Sequence, residues 1–232
     1  MKLKYKLCIA LLFASISTQL LAVEEISSNL AKPSNVINHL SERLTDEQIQ
    51  DQAQIAADKG DWKQVYELLL PLAQKGNAIA QVNLGIMYFS GRYVEKDLYQ
   101  AYWWFNEAGA QGSAKAITYI GLMYLDGAGV KKDIKHAIKI LEQAGKVNYP
   151  SAMLALGNAY YMQKDLHASF LWFERAAMKG VSEAQFKLGM MYEKGEGTVK
   201  DKKQAIYWYQ ATLKANDKIA RYAQERLSAL EN

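Results

Sequence analysis

One short motif occurs four times in this chain. Leu84-Gly85-Ile86-Met87-Tyr88 is answered by Ile120-Gly121-Leu122-Met123-Tyr124, Leu156-Gly157-Asn158-Ala159-Tyr160 and Leu188-Gly189-Met190-Met191-Tyr192, with the glycines 36, 36 and 32 residues apart. A fixed period of this length points to a solenoid, because so short a unit buries its apolar face only against its neighbours. Other positions keep the register. Ala80, Ala116, Ala152 and Ala184 open the units, and Asp97, Asp133, Asp165 and Asp201 recur further on. Bulky pairs follow at one phase: Trp104-Phe105, Ile140-Leu141, Trp172-Phe173 and Trp208-Tyr209. Gly112, Asn148, Gly180 and Asn216 close the units, and Gly and Asn suit the left-handed turn after a helix.

Apolar residues three and four apart predict two helices per unit, the first about 13 residues long and the second about 15. Small Ala and Gly on the first helix admit a close partner, with Leu and Tyr filling the space beside it. Each repeated Asp precedes a second helix, where a carboxylate accepts backbone N–H bonds and meets the positive end of the helix dipole. Between the helices lies an expanded turn, Ser90 to Val94, Asp126 to Val130 and Lys194 to Thr198. The third unit deletes it and turns through Met162-Gln163-Lys164-Asp165, hence its shorter length.

Read together, A-x-x-x-L-G-x-M-Y, G-x-G-V-x-x-D, A-x-x-W-[FY] and a closing A-x-x-G resemble the Sel1-like repeats, relatives of the tetratricopeptide family. Ala116 to Asp133 is the best match, and the resemblance covers about Asp51 to Ala229, with the third unit closer to a tetratricopeptide repeat. It implies an all-α, right-handed α-solenoid. The units are residues 77–112, 113–148, 149–180 and 181–216. A degenerate capping repeat over 45–76 precedes them, and a capping helix over 217–232 follows. In the cap, Thr45-Asp46-Glu47-Gln48 offers a capping box, helices are expected over Ala53–Lys59 and Val65–Lys75, and Pro71 should bend the second or end a turn.

The N-terminus sets the expected compartment. Lys2, Lys4 and Lys6 precede an apolar run from Leu7 to Ala14, and Leu20-Leu21-Ala22 offers a cleavage site, so residues 1–22 read as a signal peptide. Residues 23–44, polar and containing Pro33, read as a tether. Ser15, Ser17, Thr18 and Gln19 break the apolar run too early for a membrane anchor. The expected location is the periplasm, and release beyond it leaves no mark in the sequence. Cys8 is the only cysteine and falls in the leader, so the mature chain has neither disulfide nor thiol chemistry. Removing the three leader lysines from 28 basic side chains leaves 25 against 24 acidic ones, which gives no electrostatic footprint for nucleic acid.

Catalytic constellations are sparse. His39, His136 and His167 are scattered, with no paired spacing for a metal, so no metal or cofactor is expected. Gly127-Ala128-Gly129 and Gly195-Glu196-Gly197 follow no strand and read as turns. No enzyme is expected. A cysteine-rich branch of the Sel1-like family is linked to β-lactam hydrolysis, but the mature chain lacks those cysteines. A peptidoglycan- or β-lactam-directed binder or hydrolase stays as the alternative, and it requires converging titratable groups.

In related helical repeats the first helix of each unit lines a concave face. Carried over by position from the repeated glycine, this selects Val82, Ile86 and Phe89, then Thr118, Leu122 and Leu125. The third and fourth units give Leu154, Asn158 and Tyr161, then Phe186, Met190 and Glu193. Such an apolar floor suits a peptide or helical segment of another envelope protein. The resemblance therefore implies an interaction scaffold, with assembly of a secretion machine as the favoured setting. Among the aromatic runs, Trp104, Phe105, Trp208 and Tyr209 are core by register, and Tyr102, Trp103 and Tyr207 are candidates for the outer face.

Overall fold

A computed structural model describes residues 44–215 and 217–231; the signal peptide expected over 1–22, the tether expected over 23–44 apart from its last residue, and Asn216, expected to close the fourth repeat, lie outside the described residues. Among them are eleven helices and no strand: α1 Asp46–Asp58, α2 Trp62–Gln74, α3 Ala78–Ser90, α4 Leu98–Ala110, α5 Ala114–Asp126, α6 Ile134–Lys146, α7 Pro150–Met162, α8 Leu166–Met178, α9 Ser182–Lys194, α10 Lys202–Leu213 and α11 Lys218–Glu231. Two compact units divide at Pro71 and Leu72, within α2.

In the first unit α1 begins seven residues before the expected Ala53. Thr45 Oγ1 accepts from Gln48 N at 3.2 Å and Gln48 Oε1 accepts from Thr45 N at 2.9 Å, so the capping box starts the helix ahead of its apolar face. That face is Ile49, Ala53 and Ala56. The second helix runs through Pro71 without a break.

The second unit contains the repeats. Within each, the two helices pack as a pair, α3 with α4, α5 with α6, α7 with α8 and α9 with α10, and each second helix packs on the next first helix. The repeated glycine sets this approach. A Cβ on Gly85 would come within 2.5 Å of the Phe105 ring, one on Gly189 within 2.8 Å of Tyr209, and on Gly121 and Gly157 it would enter Leu141 and Phe173. Only a residue without a side chain lets the bulky partner lie against the backbone. Phe105, Leu141, Phe173 and Tyr209 are accordingly buried, as is Trp104, whereas Trp208 keeps some exposure.

The aspartates are caps. Asp97 accepts from Tyr99 and Gln100, Asp133 from His136, Asp165 from Ala168, and Asp201 from Lys203 and Gln204. Second helices hold 12 or 13 residues, shorter than expected, because each is stopped by its last-turn backbone bonds ahead of the left-handed Gly112, Asn148 and Gly180. The second glycine of the expanded turn has its own reason. Gly129 lies against Leu98 and Gly197 against the Leu166 carbonyl, so the turn of one repeat seats on the second helix of the repeat before it.

First helices are not evenly spaced. α5 packs on α7, and α9 packs on α11, whereas α3 and α5, and likewise α7 and α9, stand further apart; an opening lies between α7 and α9, in the third and fourth repeats.

Candidate partner-binding site

The opening between α7 and α9 has a volume of about 120 Å³ and is lined by Asn158, Tyr161, Phe173, Lys187, Met190, Met191 and Glu196. Three residues selected from the sequence, Asn158, Tyr161 and Met190, meet there. Phe173 comes from α8 and is buried, as is Met191, so the floor is apolar; Lys187, Met190 and Asn158 are half-buried and Tyr161 is 39% exposed. Tyr161 donates its hydroxyl to Glu196 Oε2 at 3.3 Å, and Lys194 Nζ lies 3.8 Å from Glu196 Oε1. Lys164 Nζ sits 6.0 Å from the Tyr161 ring centroid. A cofactor-sized pocket runs to about 300–1,000 Å³. This opening has room for one or two side chains.

The other selected positions fare differently. Val82 is buried with Ala101, Phe105 and Ala116, and Thr118 is buried with its hydroxyl donated to Ala114 O at 2.7 Å. Both lie three residues before the repeated glycine, one helical turn away on the face that meets the second helix. Leu125 is buried among Ala137, Leu141, Ala155 and Leu156, because α7 packs over it. These three offer a partner no surface. Ile86, Phe89, Leu122 and Leu154 remain half-buried at the edges of core clusters. Phe89 tilts against Tyr119 at 6.2 Å between ring centroids.

At the C-terminal end the last helix occupies the place a further repeat would take. Phe186 packs between the Tyr209 and Tyr222 rings, at 5.6 and 6.4 Å. Glu193 is engaged internally and is unavailable to a ligand. Its Oε2 accepts from Tyr209 Oη at 2.6 Å and from Arg226 Nε at 3.2 Å, and its Oε1 accepts from Arg226 Nη2. Burial pushes the Glu193 carboxyl up, but the Tyr209 and Arg226 hydrogen bonds together outweigh it and hold the group below the usual carboxylate range. Tyr209 moves up strongly, through burial first and the Glu193 hydrogen bond second.

Sequence reasoning missed Lys187 and Glu196. A register comparison holds the signal for both Lys187 and the oddity of Asn158: Lys187 stands where the other units have Asn83, Tyr119 and Ala155, and Asn158 stands where they have Ile86, Leu122 and Met190. Acid–base cleavage of a glycan uses two carboxylates facing one bond. Among the residues lining the opening Glu196 is the sole carboxylate, and Tyr161 and Lys194 already engage it. No group of His, Cys, Asp and Glu among the described residues is arranged to hold a metal ion.

Solenoid packing, the repeated glycine and the capping aspartates define a helical-repeat protein. The Sel1 repeat family model matches residues 78–113, 114–149, 150–181 and 182–217, and the chain belongs to the Sel1 repeat family. A Sel1 repeat protein from Oxalobacter formigenes shares the architecture with a TM-score of 0.68 and 29% identity over 76% of this chain and 73% of that one. An immunity protein from Pseudomonas aeruginosa shares the fold with a TM-score of 0.53 at 22% identity, over 81% of this chain and 69% of that one. The chitin synthase regulator of Saccharomyces cerevisiae is 38% identical over 69 residues, and the match spans 30% of this chain and 10% of that protein. Sel1 repeats generally mediate protein–protein interaction and are typically non-catalytic. Among the described residues no helix is long and apolar enough to cross a membrane.

Proposed function

We propose that this protein is a non-catalytic adaptor of the bacterial envelope, exported by its N-terminal leader to the periplasm, where it docks a segment of another envelope protein during assembly of a machine such as a secretion system. The opening between α7 and α9 carries this reading. There the side chains of two successive repeats form an apolar-floored hole that the described residues leave unfilled, flanked by Tyr161 and Met190. Aromatic and Met side chains around a small pocket are the usual anchors for a partner's apolar residue.

Photo-crosslinking in cells, with a photoreactive residue at Asn158 and a control at the exposed Val199, tests it. A single envelope protein should be captured at Asn158 and lost when Met190→Glu is added, with circular dichroism showing the variant folded. Capture equal at both positions, or unchanged by Met190→Glu, overturns this site. The double variant Ile86→Glu plus Leu122→Glu asks whether the docking surface extends to the first two repeats. Fractionation of the same cells tests the location: protein retained in the cytoplasm with residues 1–22 still attached would refute export.

A further inference from the structure

Resting on the docking site just proposed, the geometry points to the chemistry of its occupant: we infer that the opening between α7 and α9 takes an apolar side chain directly flanked by a carboxylate, from an acidic peptide segment. The site contains charges of both signs, but they are unequally used. Glu196 accepts from Tyr161 at 3.3 Å and faces Lys194 at 3.8 Å, so its charge is met within the protein. Lys187 has no ion pair, hydrogen bond or ring contact within the described residues, and Glu183, one turn earlier on α9, forms no ion pair with it. Lys164 adds a second positive charge beside Tyr161. Among the described residues the rim is net positive, with Lys187 unneutralised.

Asn158 contributes the second donor. It occupies a slot that is apolar in the three other repeats, and its amide is likewise without a partner among the described residues. Asn158 and Lys187 are both half-buried residues and both line the opening above a floor of Phe173 and Met191, so their N–H donors border a region partly shielded from water. A ligand that filled the hole with a purely apolar segment would strip water from both and leave them unsatisfied, which is costly. One that placed a carboxylate against them would satisfy both with charge-assisted bonds. A basic segment would meet Lys187 and Lys164 with like charge. The hole has room for one or two side chains, so the recognised unit is short: Leu, Met or Phe next to Asp, Glu or a chain-terminal carboxylate.

Selection from a random peptide library displayed on phage, against the whole purified protein, is the test. Wild type should enrich peptides in which Asp or Glu, or the peptide's own carboxyl terminus, adjoins a large apolar residue. For a synthetic peptide from that set, fluorescence anisotropy should show roughly tenfold weaker binding to Lys187→Glu and a steep loss with added salt. The same selection against Lys187→Glu should shift the flanking residue toward Lys or Arg. Apolar peptides with no acidic bias, lost in Met190→Glu, would overturn the acidic anchor and leave the docking site standing. Peptides indifferent to both variants, or none selected, would overturn the inference and the docking site together.

Discussion

Replacing Gly157 by Ala and Gly109 by Ala are chemically identical changes in helices, and their effects on stability should have opposite sign. At Gly157 the new methyl would fall inside the Phe173 ring, with the Cγ, Cδ1 and Cε1 atoms all closer than 3 Å. Phe173 is 1% exposed and packed with Phe170, Ala176 and Leu188, so the ring can yield only toward the small opening it floors and at the expense of that packing. Forcing a methyl into such packing costs about 2–3 kcal/mol, and the better helix propensity of Ala returns about 1, for a net loss of about 1–2 kcal/mol. At Gly109 the nearest atom to the added Cβ is Ile120 Cδ1 at 3.3 Å, the free end of a flexible side chain, and the next is Ile117 Cγ1 at 3.6 Å. A shift of a few tenths of an ångström relieves that contact, so the propensity gain of up to about 1 kcal/mol should survive. Thermal denaturation followed by circular dichroism reads both. Gly157→Ala should lower Tm by about 2–8 °C, and Gly109→Ala should leave it equal or up to about 4 °C higher. If Gly157→Ala melts at or above wild type, the repeated glycine is not where the helices close, and the packing argument fails.

Glu193 joins the last repeat to α11, and Glu193→Gln should cost about 1–2 kcal/mol, discounted because Arg226 is 43% exposed; faster amide exchange confined to α10 and α11 is the expected readout. Its folded value lies below the ordinary 4.5, so this stabilisation is complete above about pH 4.5 and fades as pH falls through the lower folded value; Glu193→Gln should flatten that acid limb of an unfolding curve, and an unchanged limb would refute the coupling. Lys164 takes a left-handed φ of 66° at the shortened turn, so Lys164→Gly should raise stability by about 0.5–1 kcal/mol in denaturant titration, even with its contact to Tyr161 lost. Asp133→Ala removes the side-chain cap on His136 N and should cost about 1 kcal/mol, with exchange accelerated in the first turn of α6.

The fold was legible because a solenoid writes its packing rule once per repeat. Gly85 against Phe105 and Gly189 against Tyr209 are the same contact, and so are the caps at Asp97 and Asp201, so four copies averaged out local noise. Apolar spacing alone places the start of helix α1 too late, because that start is set by polar chemistry at Thr45 and Gln48, ahead of the buried face of Ile49, Ala53 and Ala56. Pro71 leaves α2 unbroken although it removes one N–H from the helix ladder.

The site was less legible, for a reason that lies in the same regularity. Register reports which face of a helix a residue occupies, but not whether the neighbouring helix covers that face. Leu125 and Tyr161 hold equivalent positions, four residues after the repeated glycine. Leu125 is buried because α7 closes over α5, and Tyr161 is exposed because α9 stands off from α7. Glu193, at the same position again, is claimed by Arg226 of the capping helix. Equivalent slots thus have three fates set by what comes next along the solenoid. The deviations gather at the proposed site: Asn158 stands in an apolar slot and Lys187 among Asn, Tyr and Ala counterparts, and both line the opening between α7 and α9. In a repeat protein the consensus positions build the scaffold, and a polar residue that breaks the consensus beside a gap is the place to look for a partner.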